Sequence, residues 1–215
     1  MGIAERRERE RRRRRTEIID AAEEVFFAKG IDDATMDDVA EAAELSKGTL
    51  YLYFESKEDL YFAIAARGIE VLHGLFSDAV REHATGMDKL NAIGHAYYDF
   101  YKTYPDYFQA VLRHEHNTTV PAEATSNERL CLSQGRAVHA LMANVVQEGI
   151  DDRTIRPELH PQLTALTLWG AATGIIQIMA HKSAMLASEE VSDDLLYTYF
   201  VTAMGFAMVN IAEHT

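Results

Sequence analysis

The sequence predicts an all-α fold, with two short helices joined by a tight turn near the N-terminus and a longer helical region behind them. Three observations carry this. Four prolines and twelve glycines in 215 residues leave long stretches free to be helical. Apolar residues recur at spacings of three and four along nearly the whole chain, with no convincing alternating run that would mark a strand. Residues 35–57, TMDDVAEAAELSKGTLYLYFESK, place cap, apolar stripe, turn and cap in quick succession.

In order, Thr16 to Lys29 forms a first helix, with Ile18, Ile19, Ala22, Val25 and Phe26 on one stripe and Gly30 at the C-cap position. After the loop IDDA, Thr35 and Asp38 make a capping-box-like start, and Met36, Val39, Ala40 and Ala43 fall on one face. Ser46 caps the next helix, whose first turn is Lys47, Gly48 and Thr49. Only Leu50 and Phe54 are placed to turn inward there. Lys47, Gly48, Thr49, Tyr51, Leu52 and Tyr53 stay outside, a face better suited to a nucleic-acid groove than to core packing. A longer helix follows from about Lys57 to His83, with Gly68 and Gly74 as weak points of ~1 kcal/mol each against alanine.

ATGMD at 84–88 breaks the pattern, and residues 87–103 resume it with Leu90, Ile93, Tyr97, Phe100 and Tyr101. Tyr104 follows, and Pro105 opens a helix carrying Tyr107, Phe108, Val111 and Leu112. NTTVPAEATSN (117–127) reads as a loop, and a helix from about Glu128 to Glu148 is stopped by Gly149. Residues 150–161 are a polar linker, and two apolar helices at 161–187 and 191–213 close the chain, which contains no internal repeat.

Net charge is −13, which taken alone argues against a polyanionic partner, but its distribution argues for one. Residues 1–15 hold eight arginines and three glutamates, a net of +5, so the other 200 residues carry 13 basic and 31 acidic groups, a net of −18. A basic arm on an acidic body offers one end to a polyanion while the rest is repelled. The plainer reading of the arm is a solvated tail. One cysteine, Cys131, permits no intrachain disulfide and fits a reducing cytoplasm. No signal-peptide pattern is expected at the charged N-terminus. No membrane span is expected either, because the longest apolar candidate, Leu159 to Ala180, is interrupted by His160, Pro161, Gln162, three threonines and Gln177.

The segments TEIIDAAEEVFFAKG (16–30) and ATMDDVAEAAELSKGTLYLYFESKEDL (34–60) resemble the TetR family of transcriptional regulators, above all in the run from Ser46 to Leu60. The resemblance is strong over residues 12–72 and architectural beyond. It implies an N-terminal three-helix helix-turn-helix DNA-binding domain at 12–72 and a C-terminal helical effector-binding and dimerisation domain at 73–215. It further implies a homodimer through the last two helices, and a small molecule in the C-terminal cavity that moves the long fourth helix and releases an inverted-repeat operator. The usual outcome in the family is repression relieved by ligand. Two positions depart from the pattern. Glu44 stands where the turn usually has glycine, at a cost on the order of 1 kcal/mol that is expected to reshape the turn. Leu52 favours an apolar contact such as a thymine methyl.

The expected DNA-binding set is Thr35, Ser46, Lys47, Gly48, Thr49, Tyr51, Leu52, Tyr53 and Lys57, with Arg14 and Arg15 from the arm. Thr35 and Ser46 offer hydroxyls at helix N-termini, where phosphates bind, although plain capping explains them equally. Lys47 and Lys57 are phosphate ligands by charge and position, against ordinary solvated lysines. Tyr51 or Tyr53 could instead pack against the first helix. The aromatic cluster around Tyr97 is mostly core, but Tyr97, Tyr101, Tyr104 and Phe108, with Met142, Trp169, Thr173 and Gln177, are the expected lining of a cavity for a hydrophobic or aromatic effector.

His114 and His116 flank Glu115, and His95, His139 and Cys131 complete an imaginable metal set, but nothing in the sequence brings them together. No metal or cofactor is expected, and no catalytic constellation stands at recognisable spacing. A small helical enzyme or carrier using the aromatic cavity, and a DNA-binding protein without a ligand, are the competing classes. A protected palindrome near the chain's own gene separates the first from a regulator, and release of DNA by a small molecule separates the second.

Overall fold

The computed structural model describes the backbone of residues 2–116 and 124–210, and side chains there except those of 114–116, 183 and 184. The expected loop at 117–127 and the end of the last helix at 211–213 fall partly or wholly outside the described residues, as do the side chains of His114 and His116. Among the described residues there are ten helices and no strand, only one isolated antiparallel bridge between Ile155 and Val209. The helices are α1 (Ile3–Lys29), α2 (Met36–Ala42), α3 (Lys47–Tyr51), α4 (Lys57–Arg81), α5 (Gly86–Thr103), α6 (Pro105–His116), α7 (Ser126–Asp151), α8 (Pro161–His181), α9 (Ser183–Ser188) and α10 (Asp193–Met208).

The chain divides into two compact units, residues 1–69 with 106–134 and residues 70–105 with 135–215. The first crossing lies close to the expected boundary at 72, but α6 and the start of α7 return to the first unit. The side chains explain why. Gly68 of α4 leaves room for α6, since a Cβ there would sit 3.1 Å from the Tyr107 Cβ and 3.2 Å from a Val111 methyl. Gly68 is therefore a point of close helix approach and not a weakness. Tyr107 then donates to Glu23 of α1 at 2.9 Å and packs edge-on against Phe27. Arg67 closes the same seam with ion pairs to Asp20 and Glu23. The core of this unit is built from Ile18, Ala22 and Phe26 of α1, Val39 of α2, Leu50 and Phe54, Leu60 and Ile64 of α4, and Phe108 of α6.

In the second unit Phe76, Leu90, Phe100, Val146, Ile176 and Tyr197 are buried. Tyr197 stacks on Tyr98 at 4.5 Å and donates to the Gly94 carbonyl at 2.9 Å, which locks α10 to α5. The expected stop at Gly149 does not occur: α7 continues to Asp151 and ends where Arg153 takes φ 65. Gly149 serves another purpose. A Cβ on Gly86 would fall on the Gly149 backbone, and a Cβ on Gly149 would fall on the Ile155 side chain. The two glycines let the start of α5 touch α7 and let the fully buried Ile155 dock beside them. Ile155 in turn begins the bridge to Val209, with Arg156 N–H on the Met208 carbonyl and Asn210 N–H on the Thr154 carbonyl.

Three further expectations are corrected. The arginine arm is helical, because arginine and glutamate are good helix formers and Glu8–Arg12, Arg13–Glu17 and Arg14–Glu17 pair along the helix. The penultimate helix breaks at Lys182 (φ −122), leaving the six-residue α9 after it. Finally, α8 is long and apolar enough to cross a membrane by length and composition, since threonine, glutamine and histidine interrupt it without charge. Only 22% of its apolar window is buried within the single chain.

Gly86→Ala is expected to cost about 2–3 kcal/mol through overpacking against Gly149. Thermal unfolding should show a melting point lower by about 5–10 °C, whereas Gly135→Ala, with open space around it, should show no such loss.

Candidate nucleic-acid interface and ligand cavity

The turn between α2 and α3 is closed by two hydrogen bonds, Leu45 N–H to the Ala40 carbonyl at 2.9 Å and Glu44 N–H to the Glu41 carbonyl at 3.1 Å. That pair is a Schellman motif, which needs a left-handed residue at its corner. Glu44 supplies it, with φ 54. The turn is thus not reshaped. The glutamate accepts the strained conformation, because the motif satisfies carbonyls that α2 would otherwise leave unpaired.

Both helices are capped as expected. Thr35 Oγ1 accepts from Asp38 N–H, and Asp38 Oδ2 accepts from Thr35 N–H at 2.8 Å. Lys29 holds the other carboxylate oxygen at 2.8 Å. Lys29 and then the Thr35 bonds hold the Asp38 carboxyl well below the usual range, at about 2. Ser46 Oγ accepts from Thr49 N–H at 3.1 Å, and the two hydroxyls lie 2.8 Å apart. Leu50 is the buried residue of α3, and Phe54 is buried just beyond it. Lys47 and Gly48 are exposed, Tyr51 and Leu52 are exposed by 47% and 75%, and Thr49 and Tyr53 are half-buried.

Lys47 is paired with Asp37 at 2.8 Å, an acid in the first turn of α2 that inspection of α3 alone does not reveal. Lys57 points inward. Its ammonium donates to the carbonyls of Ile31, Asp32 and Ala34 at 2.7, 3.3 and 3.0 Å, so its protons are committed to the loop that precedes Thr35. Arg113 of α6 grips the same loop through a two-pronged pair with Asp32 at 2.7 and 3.0 Å. Arg14 is half-buried and paired with Glu17 at 2.9 Å. Arg15 is turned into the protein, bonded to Asn127 and lying 5.1 Å over the Phe54 ring. Burial lowers its pKa, partly offset by the nearby Asp59 charge.

The second unit contains a partly open, mostly apolar cavity of about 50 Å³. Of the expected lining, Tyr97, Met142 and Trp169 are on its wall, and Thr173 shares a 2.8 Å hydrogen bond with the Tyr97 hydroxyl. Tyr101, Tyr104 and Gln177 are not part of the wall, and Phe108 is buried in the core of the other unit. The reason is position along the helix. Tyr97 shares a face of α5 with Leu90, Ile93 and Gly94, which line the cavity, and Tyr101 and Tyr104 lie one and two turns beyond Tyr97, past the end of the wall, where Tyr101 stacks on Tyr98. The rest of the wall comes from Phe76 of α4, Leu168 and Ala172 of α8, and Phe200, Val201, Met204 and Met208 of α10. Periodicity showed these helices to be apolar but not which face turns inward. Asn91 adds an amide to the wall. His139 packs 5.0 Å from the Trp169 ring, its pKa pushed down by burial, and its Nδ1 has no hydrogen-bond partner among the described residues.

Among the described residues no three histidine, cysteine or acidic side chains gather as a metal site. Cys131 donates to the Phe62 carbonyl at 2.9 Å, and burial pushes its thiol up to about 12, far from a reactive thiolate.

Comparison with known proteins agrees with the geometry. Residues 18–64 match the model of the bacterial regulatory proteins of the tetR family. The HTH-type transcriptional activator FasR of Mycolicibacterium smegmatis is 37% identical over 87 residues, 40% of each chain. The HTH-type transcriptional repressor KstR2 of Rhodococcus jostii is 27% identical over 152 residues, 70% of this chain and 72% of that one. The chain thus matches less than half of FasR's length but most of KstR2's. Among solved structures, AibR in complex with isovaleryl coenzyme A and operator DNA superposes with a TM-score of 0.64 at 18% identity, covering 87% of this chain and 96% of AibR. At that identity the likeness establishes the fold.

A carbon-13 NMR titration should place the Asp38 midpoint near 2, and Lys29→Ala should move it towards the ordinary 3.8. Since the folded value lies below the unfolded one, the cap's contribution is complete above 3.8 and is lost as pH falls through about 2.

Proposed function

Given that the chain belongs to the TetR family of transcriptional regulators, we propose that it is a homodimeric, ligand-responsive DNA-binding repressor and not an enzyme. The observation that carries the DNA reading is α3 itself. A five-residue helix with one buried side chain, presenting Lys47, Gly48, Tyr51 and Leu52 to solvent, is built to be read from outside. Residues 12–72 act as the DNA head, with 106–134 packed into the same unit, and the rest of 73–215 acts as the effector and dimerisation region. Thr35, Ser46, Lys47 and Thr49 meet phosphates, while Tyr51, Leu52 and Tyr53 meet base edges. Lys57 supports this by holding the loop before Thr35. Being helical, the arginine arm is about 10–12 Å across and too wide for a minor groove of about 6 Å, so it meets the backbone from outside.

The homodimer forms through α8 and α10. Leu163 and Leu166 of α8 and Leu195, Tyr199 and Phe206 of α10 are all more than half exposed in the single chain, an apolar surface that a second copy would cover. The protein acts on operator DNA in the cytoplasm. The effector is a small hydrophobic molecule held by the Tyr97, Met142 and Trp169 wall, with Asn91 and the Tyr97–Thr173 pair as polar contacts. The coenzyme A thioester bound by AibR makes acyl thioesters the first class to test. α4 is the coupling element, since one continuous helix supplies Leu60 and Ile64 to the head's core and Phe76 to the cavity wall. A ligand changes operator affinity only by binding the two head spacings unequally.

Footprinting on DNA flanking the chain's own gene should reveal an inverted repeat whose half-sites lie about 34 Å apart. Leu52→Ala should weaken binding about 10-fold or more. Deleting residues 1–13 should weaken it further and flatten the log–log salt slope by about 0.9 for each phosphate that the arm neutralises. Unchanged affinity and slope would leave the arm a solvated tail. The protein's one tryptophan, Trp169, provides the ligand readout. A panel of acyl thioesters and free hydrophobic acids should contain a member that changes its emission and releases the operator. Emission change without release would overturn the ligand-responsive reading.

A further inference from the structure

Asp59 and Asn127 are the buried polar side chains among the described residues, each 3% exposed, and they are bonded to each other. Asn127 Nδ2 donates to Asp59 Oδ1 at 2.8 Å, and Asn127 Oδ1 accepts from the Arg15 guanidinium. The amide can stand only one way round, because a flip would set its oxygen against the carboxylate and its NH₂ against the guanidinium. Asp59 Oδ2 accepts from the Glu55 N–H at 3.1 Å, and the Asp59 N–H is capped by Ser56 Oγ at 3.0 Å. Arg15 lies over the ring of Phe54. One amide near the start of α7 thus holds a cation from α1 and an anion from α4, and these grip the residues directly after α3 from two sides.

α3 contributes one buried side chain of its own, Leu50, so its seat depends on Phe54 and on the backbone at Glu55. We infer that Asn127 is a positioning residue for DNA recognition: by bridging Arg15 and Asp59 it fixes Phe54 and thereby the attitude of α3. This rests on the DNA-binding reading above. Asn127 touches no DNA in this scheme. Its contribution is to the geometry of the groove-facing residues, where small misplacement costs recognition. It also gives Arg15 a role other than phosphate contact.

A residue exchange separates positioning from plain stabilisation. Asn127→Asp sets two carboxylates together in a buried site, and Asp59→Asn leaves Arg15 facing two amides. Each single variant should weaken operator binding about tenfold or more per folded molecule. Trp169 emission and the oligomeric mass should stay those of the wild type. The double variant Asp59→Asn/Asn127→Asp restores one carboxylate and one amide beside Arg15, and its operator affinity should return to within about threefold of wild type. Circular dichroism at the assay temperature gives the folded fraction. If the single variants do not fold, the double variant decides: folded with recovered affinity, it supports positioning. Single variants that melt earlier but bind operator as wild type would overturn it, as would a double variant that stays weak or does not fold. Failure of the wild-type protein to bind any operator would instead overturn the DNA reading on its own.

Discussion

A helix of five residues cannot hold itself together in water, because nucleation costs more than so few hydrogen bonds return. α3 is such a helix, and most of its surface is turned outward. Everything around it compensates. Leu50 and Phe54 seat it from behind, Ser46 caps it, and the Schellman turn with Glu44 at φ 54 sets its angle to α2. Behind Phe54 lies the Arg15–Asn127–Asp59 chain, where each buried polar group has an oppositely suited partner. A buried carboxylate is tolerable only when it is bonded in this way. The outward face is therefore available for recognition because its inner face is so heavily constrained.

The second unit solves a different problem, that of enclosing space next to tightly packed helices. Gly86, Gly149 and Ile155 bring α5, α7 and the following segment together as closely as backbones allow. Tyr98 and Tyr197 stack to hold α10 on α5. The cavity opens where these contacts give way to larger, softer side chains such as Met142, Met204 and Met208, whose unbranched chains repack at little cost. Few polar groups interrupt its wall, and the Tyr97–Thr173 pair is already satisfied internally.

Charge is organised in the same economical way. An acidic chain begins with a basic helical segment, and most of the lysines and arginines around the head are engaged locally: Lys29 with Asp38, Lys47 with Asp37, Arg113 with Asp32, Lys57 with carbonyls. Lys47 and Asp37 are both solvent-exposed, so their pairing is weak. Lys57 makes three bonds to one loop and is a structural fixture by comparison.

By itself the sequence determined what depends on neighbours a few residues away. The all-helical class, the caps at Thr35 and Ser46 and the inward turn of Leu50 and Phe54 follow from spacing and local hydrogen bonding, and the need for a left-handed residue at Glu44 follows from the family resemblance of the turn. Tertiary structure decided whatever depends on partners distant in the chain. Arg15 is in a basic run by sequence but faces Asn127, 112 residues away. Lys57 looks like a surface cation but reaches the carbonyls of residues 31–34. Gly149 reads as a helix stop but is a packing notch for Gly86 and Ile155. Tyr101 and Phe108 fit an aromatic cavity by composition, yet Tyr101 lies a turn beyond the wall along α5 and Phe108 goes with α6 into the core of the first unit. Periodicity fixes which residues share a face, but only the packed neighbours decide what that face meets.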